Sequence, residues 1–404
     1  MKLLWVKTDF LHPTTRGGQI RTLEMLKRLH RRHEIHYVAF NDPTQPEGLA
    51  RSNEYSSRAF PIEHRVPDKR SPGFAWQLLK GWLSPTPVAM CRWESFAMRD
   101  RVAELLREQR FDSIVCDFIF PGWSLGDALE RAVLFEHNVE TMIWRRHAEN
   151  ASDPLRRFYF ELQARRMFTR EQLFCRRARH VVAVSPVDAQ MFRDLFGLRE
   201  VSTVATGVDI DYFRASVSNN SAVRPRFDIV FVGSMDWMPN QDAVRFFLAE
   251  ILPLIRRTIP DCSVGIVGRT PSAEMIELGR RDGRVTLTGT VPDVRPFLWD
   301  AKLSIVPLRI GGGTRLKIYE SMAAGTPVVS TSIGAEGLEV TNGSDIRLAD
   351  TPESFAAACL ELITNPGERE RLASAAQKLV ETRFSWEAVT GHFEQILLDH
   401  PAGV

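Results

Sequence analysis

Residues 310–331, IGGGTRLKIYESMAAGTPVVST, decide the reading of this chain. A strand ending at Pro307 runs into a triple-glycine turn, a short helix, a glycine stop at Gly325 and a second buried strand around Val328 and Val329. Three successive glycines let a ligand approach bare backbone N–H groups. The helix behind them points its unpaired donors and the positive end of its dipole back into the turn. This geometry suits a phosphate or another anion. Arg315 and Lys317 add charge at the same end, where the dipole disfavours cations, and an anion among them resolves that conflict. Glu320 follows one turn on, sharing a face with Leu316. The plainer alternative is a surface loop followed by a helix with a Lys317–Glu320 salt bridge. The stretch has neither the Gly-Lys-Ser/Thr ending of a P-loop nor the G-x-G-x-x-G of a dinucleotide site.

The composition around it is that of a globular protein: 404 residues, 44% hydrophobic and 25% charged. A chain of this length divides into two or three domains. A net charge of +2 does not call for nucleic acid. Cys91, Cys116, Cys175, Cys262 and Cys359 are scattered and contain no C-x-x-C pair. They read as small buried residues in a reducing compartment, without a zinc site. Residues 1–10 enter a strand pattern with no apolar leader core, and no run reaches membrane-spanning length, which predicts a cytoplasmic protein.

Along the first half, Leu3–Val6, a helix over Gln19–Leu29 and Ile35–Ala39 form a βαβ unit, hence a parallel sheet. Ile20, Leu23, Leu26 and Leu29 are expected on the buried side of that helix. Pro13–Gly18 sets Gly17, Gly18 and Arg16 at a helix N-terminus, or forms an ordinary βα loop. Pro43–Ser71 reads as irregular. Pro72–Leu83, with Trp76, Trp82 and Lys80, reads as a short helix suited to core packing, an acceptor lid or a membrane interface. Phe111–Phe118 and Ala132–Phe135 are further strands, and His137 lies just past the second, where ligands bind in open α/β sheets. Trp144–His180 carries four arginine pairs, either a solvated helix face or a basic face beside anionic lipid. His180–Val184 and Val201–Ala205 close this half, and the domain boundary falls near Thr206. Asp209-Ile210-Asp211 matches a metal-binding D-x-D, but its surroundings favour a structural role. In the second half Ile229–Gly233, Val264–Gly268, Val285–Gly289 and Leu303–Pro307 alternate with helices over Asp242–Arg257, Ser272–Arg280 and Asp293–Trp299, a second doubly wound sheet.

Glu320 and the following Ser321-Met322-Ala323-Ala324-Gly325-Thr326-Pro327-Val328-Val329 resemble the retaining, GT-B-fold glycosyltransferases of family 4. There a Glu closes an E-x7-E element ahead of a small-residue run and G-x-P-V-V. The resemblance covers nearly the whole chain. It implies two Rossmann-like doubly wound domains facing across a cleft: residues 1–205, joined by the C-terminal helix 386–404, for the acceptor, and residues 206–385 for a nucleotide diphosphate sugar. It implies that Glu320 holds the ribose hydroxyls. The first Glu of the element falls at Gly312, so its sugar contacts pass to the backbone of Gly312–Thr314. Gly233 matches the glycine beside the diphosphate, followed here by Ser234 where an Arg is usual, and the Lys expected between Asp236 and Asp242 is absent. Neutralisation then falls to Arg269, Arg315, Lys317 and the helix N-terminus.

On the same resemblance the donor site comprises Gly17, Gly18, Gly233, Arg269, Val291, Gly311, Gly312, Gly313, Thr314, Leu316 and Glu320. His137, Arg315 and Lys317 are the catalytic candidates, and Arg16, Arg21 and Asn138 face the acceptor, with Glu140 a weaker neighbour of His137. The implied reaction is front-face sugar transfer to a glycan or lipid-linked acceptor in cell-surface polysaccharide biosynthesis. It needs no metal and no cofactor, and the partners include no nucleic acid. Peripheral membrane contact is the further partner expectation. The rivals are a nucleotide-sugar epimerase, a non-catalytic nucleotide-sugar-binding protein and a membrane adaptor.

Overall fold

The computed structural model describes residues 1–14, 17–64, 84–149, 151, 153–214, 226–235, 237–271, 273–310 and 316–403. The chain divides into two compact units, Met1–Ala205 with Val389–Val404, and Thr206–Ala388.

The first unit is built on a seven-stranded, all-parallel sheet. Its strands are β1 (Lys2–Val6), β2 (Glu34–Asn41), β3 (Arg58–Glu63), β4 (Ser113–Asp117), β5 (Ala132–Phe135), β6 (His180–Ala183) and β7 (Ser202–Thr203), in spatial order 3-2-1-4-5-6-7. Parallel neighbours need long crossovers, here helices including α1 (Gly17–Leu29), α2 (Phe96–Glu108), α3 (Glu140–Glu149), α4 (Pro154–Arg177) and α5 (Pro186–Phe196). The central strands are apolar throughout because both faces are covered: Leu3, Leu4, Trp5 and Val6 are all fully buried.

The second unit carries β8 (Ile229–Val232), α6 (Met238–Phe246), β9 (Val264–Val267), α7 (Ala273–Arg281), β10 (Val285–Gly289), α8 (Arg295–Trp299), β11 (Leu303–Val306), α9 (Leu316–Ala323), β12 (Val328–Ser330) and β13 (Arg347–Leu348). Its six strands are parallel in the order 10-9-8-11-12-13. Gly325, with φ of 80°, stops α9 in the left-handed conformation that only glycine adopts without strain. Helices α10 (Pro352–Thr364) and α11 (Pro366–Leu379) follow, and α12 (Trp386–Asp399) spans the join between the units.

Several expectations change. Residues 43–64 are not irregular: helical turns at Glu47–Ala50 and Ser52–Glu54 lead into β3. That strand was hidden by Pro61 and its charged ends, features tolerated at a sheet edge. Ile20 is 40% exposed instead of facing inward, because the buried arc of α1 centres on Thr22, Met25, Leu26 and Leu29 and leaves Ile20 outside it. The helix expected over Asp242–Arg257 is interrupted by a π-turn at Phe247–Ile251 before Leu252–Arg256. Pro253 lacks the N–H that would continue the regular ladder. The arginine-rich stretch is two helices, and Asp153 Oδ1 caps the second by accepting Leu155 N at 2.8 Å. Asp209 is a helix cap too: Oδ1 accepts Tyr212 N at 2.9 Å, so the structural reading of the D-x-D holds. The helix expected over Pro72–Leu83 lies outside the described residues. All five cysteines are free, and four are buried.

The segment entering the second unit pairs with the one leaving it, Val208 N donating to Phe384 O at 2.7 Å. Gly207 lies flat on Trp386, where an added Cβ would stand 2.4 Å from the ring. Gly207→Ala should therefore lose about 1–3 kcal/mol through overpacking, read as a lowered denaturation midpoint; an unchanged midpoint would contradict this contact.

Candidate functional site

Both sheets reverse their winding at one point, between β1 and β4 in the first unit and between β8 and β11 in the second. Open α/β sheets bind ligands outside the carboxyl ends of the strands at such points.

In the first unit that position holds a buried carboxylate, Asp117, the last residue of β4. Its Oδ1 accepts Lys7 Nζ at 2.8 Å, and its Oδ2 accepts Trp5 Nε1 at 2.9 Å and Thr22 Oγ1 at 2.7 Å. His137 Nε2 lies 2.9 Å from Oδ1. Burial alone would raise the Asp117 carboxyl, but the Lys7 ammonium and the His137 imidazole hold it well below the ordinary carboxylate range. Burial pushes His137 down to about 4 against the pull of Asp117, leaving it neutral near pH 7. Gly18, in the first turn of α1, abuts this imidazole: a Cβ there would be 3.2 Å from Nδ1. Phe118 packs its ring on His137 at 4.9 Å and holds φ at 76°, a strained value for a bulky residue.

Behind His137 lie three buried carboxyls. Glu171 accepts the backbone N–H groups of Glu140 and Thr141, both at 2.8 Å, and so caps the start of α3. Burial raises Glu136 well above its ordinary value, and raises Glu140 and Glu171 to about 7, with mutual repulsion adding to the shifts of Glu136 and Glu140.

In the second unit Gly233 and Gly268 follow β8 and β9 and pack backbone to backbone. A Cβ on Gly268 would fall 1.8 Å from Gly233 O. Lys317, in the first turn of α9, reaches over Gly233 to Asn240 Oδ1 at 2.8 Å. Arg269 Nε donates to Ser234 Oγ at 2.8 Å. Thr270, beside Arg269, has φ of 57°; it and Phe118 are the two non-glycine residues with positive φ among those described. Glu320 is half-buried, and no hydrogen bond or ion pair joins its carboxylate to a described residue; burial raises its carboxyl against the pull of Lys317. The alternative Lys317–Glu320 salt bridge is thus not formed among the described residues, since Lys317 bonds Asn240.

The structure gathers Gly18 and His137 in the first unit, and Gly233, Arg269, Lys317 and Glu320 in the second; Leu316 is the half-buried first residue of α9. Gly17 begins α1 in open space, and Val291 is half-buried just after β10. Arg21 is buried beside Asp117 and Asp188, and burial lowers its guanidinium to about 10. Asn138 bonds the Glu140 carboxyl. Arg16, Gly311, Gly312, Gly313, Thr314 and Arg315 lie outside the described residues. Sequence reasoning missed Lys7, Asp117 and Asn240. A charge closing an apolar strand was the available signal for the first two; nothing local marks Asn240.

Among the described residues no His, Cys, Asp and Glu cluster is arranged to hold a metal, and no helix is long and apolar enough to cross a membrane. A cavity of about 510 Å³ between α3 and α4 is lined by Arg145, Arg157, Arg165 and Phe168, among others.

Comparison with known proteins places these two sheets in a class. Residues 15–212 match the family model described as Glycosyltransferase Family 4, and residues 226–365 match that described as Glycosyl transferases group 1. Anabaena HepE, solved in complex with UDP, superposes with a TM-score of 0.66 over 99% of this chain and 100% of its own, at 17% identity. That likeness shows the fold, GT-B. The chain belongs to the group 1, family 4 glycosyltransferases. Among curated relatives, the glycogen synthase of Mycobacterium tuberculosis is 27% identical over 214 residues, 50% of this chain and 49% of that protein. The lipopolysaccharide core biosynthesis glycosyltransferase LpsE of Rhizobium meliloti is 35% identical over 127 residues, 30% of this chain and 35% of its own. The chain thus spans about half the length, or less, of these relatives.

Asp117→Asn should cost about 3–5 kcal/mol in urea unfolding, because it strands the buried Lys7 ammonium; parent-like stability would contradict the network. The acid cluster has the opposite pH sign. Carboxyls with raised folded values stabilise most in acid, and that stability is lost as pH climbs through about 7. Between about pH 5 and pH 8, Glu136→Gln should show a smaller drop in thermal midpoint than the parent, and an identical drop would rule out the buried repulsion.

Proposed function

We propose that this chain is a retaining glycosyltransferase that moves a sugar from a nucleoside diphosphate sugar to a glycan or lipid-linked acceptor in cell-surface polysaccharide biosynthesis. The donor belongs to residues 206–385, and the acceptor to residues 1–205 with helix 386–404. The observation that carries this reading is the placement of Lys317 against Gly233 and of Arg269 on the adjoining Ser234, just past the strands beside the winding reversal of the second sheet. A glycine without a Cβ lets the Lys317 ammonium come close to the chain here, and the two cations offset the charge of a pyrophosphate.

Glu320, whose carboxylate has no hydrogen bond or ion pair among the described residues, takes the ribose diol, whose two O–H groups donate to it. The gly-rich turn Gly311–Gly313 with Thr314 and Arg315 completes the phosphate cradle, and Val291 meets the base. The acceptor hydroxyl attacks the face from which the phosphate leaves. The bond from C1 to the phosphate oxygen breaks, and the departing phosphate takes the acceptor proton. Lys317 and Arg315 stabilise the charge that develops on the phosphate. Neutral His137, held by Asp117, hydrogen-bonds the donor sugar on its unit's side, with Gly17 and Gly18 beside it. Arg16, Arg21 and Asn138 organise the acceptor side. The cations fill the role a metal plays elsewhere.

The names of the relatives support this reading: HepE was solved with UDP, and LpsE builds lipopolysaccharide core. The first turns of α4 expose Leu155 and Phe158, at 78% and 57%, beside Arg156 and Arg157. Exposed apolar residues among cations favour contact with the anionic inner face of the cell membrane.

The test incubates the chain with UDP-, GDP- and ADP-sugars and an acceptor extract, in EDTA, and reads the anomeric configuration of the product. Transfer with retention is expected, and Glu320→Ala should weaken nucleotide affinity by at least about tenfold in calorimetry. Conversion of donor without acceptor would mean an epimerase. Binding without consumption would mean a non-catalytic nucleotide-sugar-binding protein.

A further inference from the structure

One uncharged side chain links the parts of the second-unit site. Asn240, in the first turn of α6, is only 3% exposed. Its Oδ1 accepts Lys317 Nζ at 2.8 Å, and its Nδ2 donates to the Ser234 carbonyl at 2.7 Å. An ammonium only donates and a carbonyl only accepts, so these partners fix which end of the amide faces which. No other side chain of this size serves both. A carboxylate at this position would turn lone pairs on the Ser234 carbonyl, and a leucine would leave both groups unsatisfied.

The consequence is positional. Cβ atoms built on Gly233 would stand 2.7 Å from Lys317 Nζ and 2.9 Å from Asn240 Nδ2, so both groups close directly over that glycine peptide. The ammonium also lies 4.6 Å from the centre of the Phe231 ring. A lysine head on four rotatable bonds is thereby confined to one place before any ligand arrives, and its ordering entropy is already spent. The same amide anchors the peptide of Ser234, whose hydroxyl holds Arg269.

We infer that Asn240 is the positioning residue of the diphosphate site: it aims Lys317 over the Gly233 peptide and couples that lysine to the loop carrying Ser234. This rests on the donor reading above and adds a residue it does not contain. Asn240 acts through Lys317 and touches no reacting atom itself.

The test is a double-mutant cycle read by calorimetry on the whole chain, with UDP, GDP and ADP and their nucleosides as probes. For the diphosphate the parent binds best, Asn240→Ala should weaken affinity about tenfold, the scale of one hydrogen bond to a charged group, with nucleoside affinity unchanged. Lys317→Gln should cause a similar loss, and adding Asn240→Ala to Lys317→Gln should add little. A purely structural Asn240 would lower the melting temperature while leaving the diphosphate-over-nucleoside preference intact, and that result overturns the inference. So does full additivity in the double variant. If Asn240→Ala does not fold, Asn240→Asp replaces it. It keeps the shape, loses the donor to Ser234 and pairs its own charge with Lys317, so the same diphosphate-specific loss is expected and parent-like affinity overturns the inference. A parent chain that binds none of the three diphosphates sinks the donor reading, and this inference with it. A chain that binds one but is indifferent at position 240 sinks the inference alone.

Discussion

Strictly parallel strand pairing governs both units. Every strand in each sheet runs the same way, so every carboxyl end opens on one edge and each return must cross over, in most cases through a helix. The faces are therefore buried, the strands are apolar, and polar function is left to the residues just past each strand. Lys7, Asp117 and His137 occupy that layer in the first unit. Gly233, Arg269 and the start of α9 occupy it in the second. The winding order then selects two gaps, between β1 and β4 and between β8 and β11, where no crossover helix fills the edge.

The two layers meet their electrostatic problem differently. In the first unit a buried carboxylate gathers one ammonium, one indole, one hydroxyl and one imidazole; burial keeps His137 neutral against the pull of Asp117, and the Lys7 ammonium helps keep Asp117 ionised. Such a network is costly to break, since each donor loses a charged acceptor in a dry site. In the second unit Lys317 donates to an amide oxygen and Arg269 to a hydroxyl. Strain falls at the same places: Phe118 and Thr270, both left-handed without being glycine, adjoin Asp117 and Arg269.

Close approach does the remaining work. Gly18 against His137, Gly233 under Lys317 and Gly268 against Gly233 are contacts that no Cβ admits without movement. A run of glycine in the sequence signals a turn; only packing reveals which glycine is needed for room and which, like Gly17, faces nothing.

Read alone, the sequence determined the two α/β halves, the central strands and their bounding glycines, and the stop at Gly325. Each of these is written in a few neighbouring residues, through period, propensity or cap chemistry. Edge strand β3 escaped it because Pro61 and flanking charges imitate a loop, and Ile20 was misplaced because packing against the sheet decides which arc of α1 is buried. The site divides the same way. Glycines, His137 and Lys317 could be picked out from local pattern and resemblance, but Asp117 joins Lys7 across 110 residues and Lys317 joins Asn240 across 77. Local periodicity carries no information about which distant strand ends become neighbours. Strand order decides that, and strand order is settled by the burial of whole sheet faces, which only the folded chain expresses.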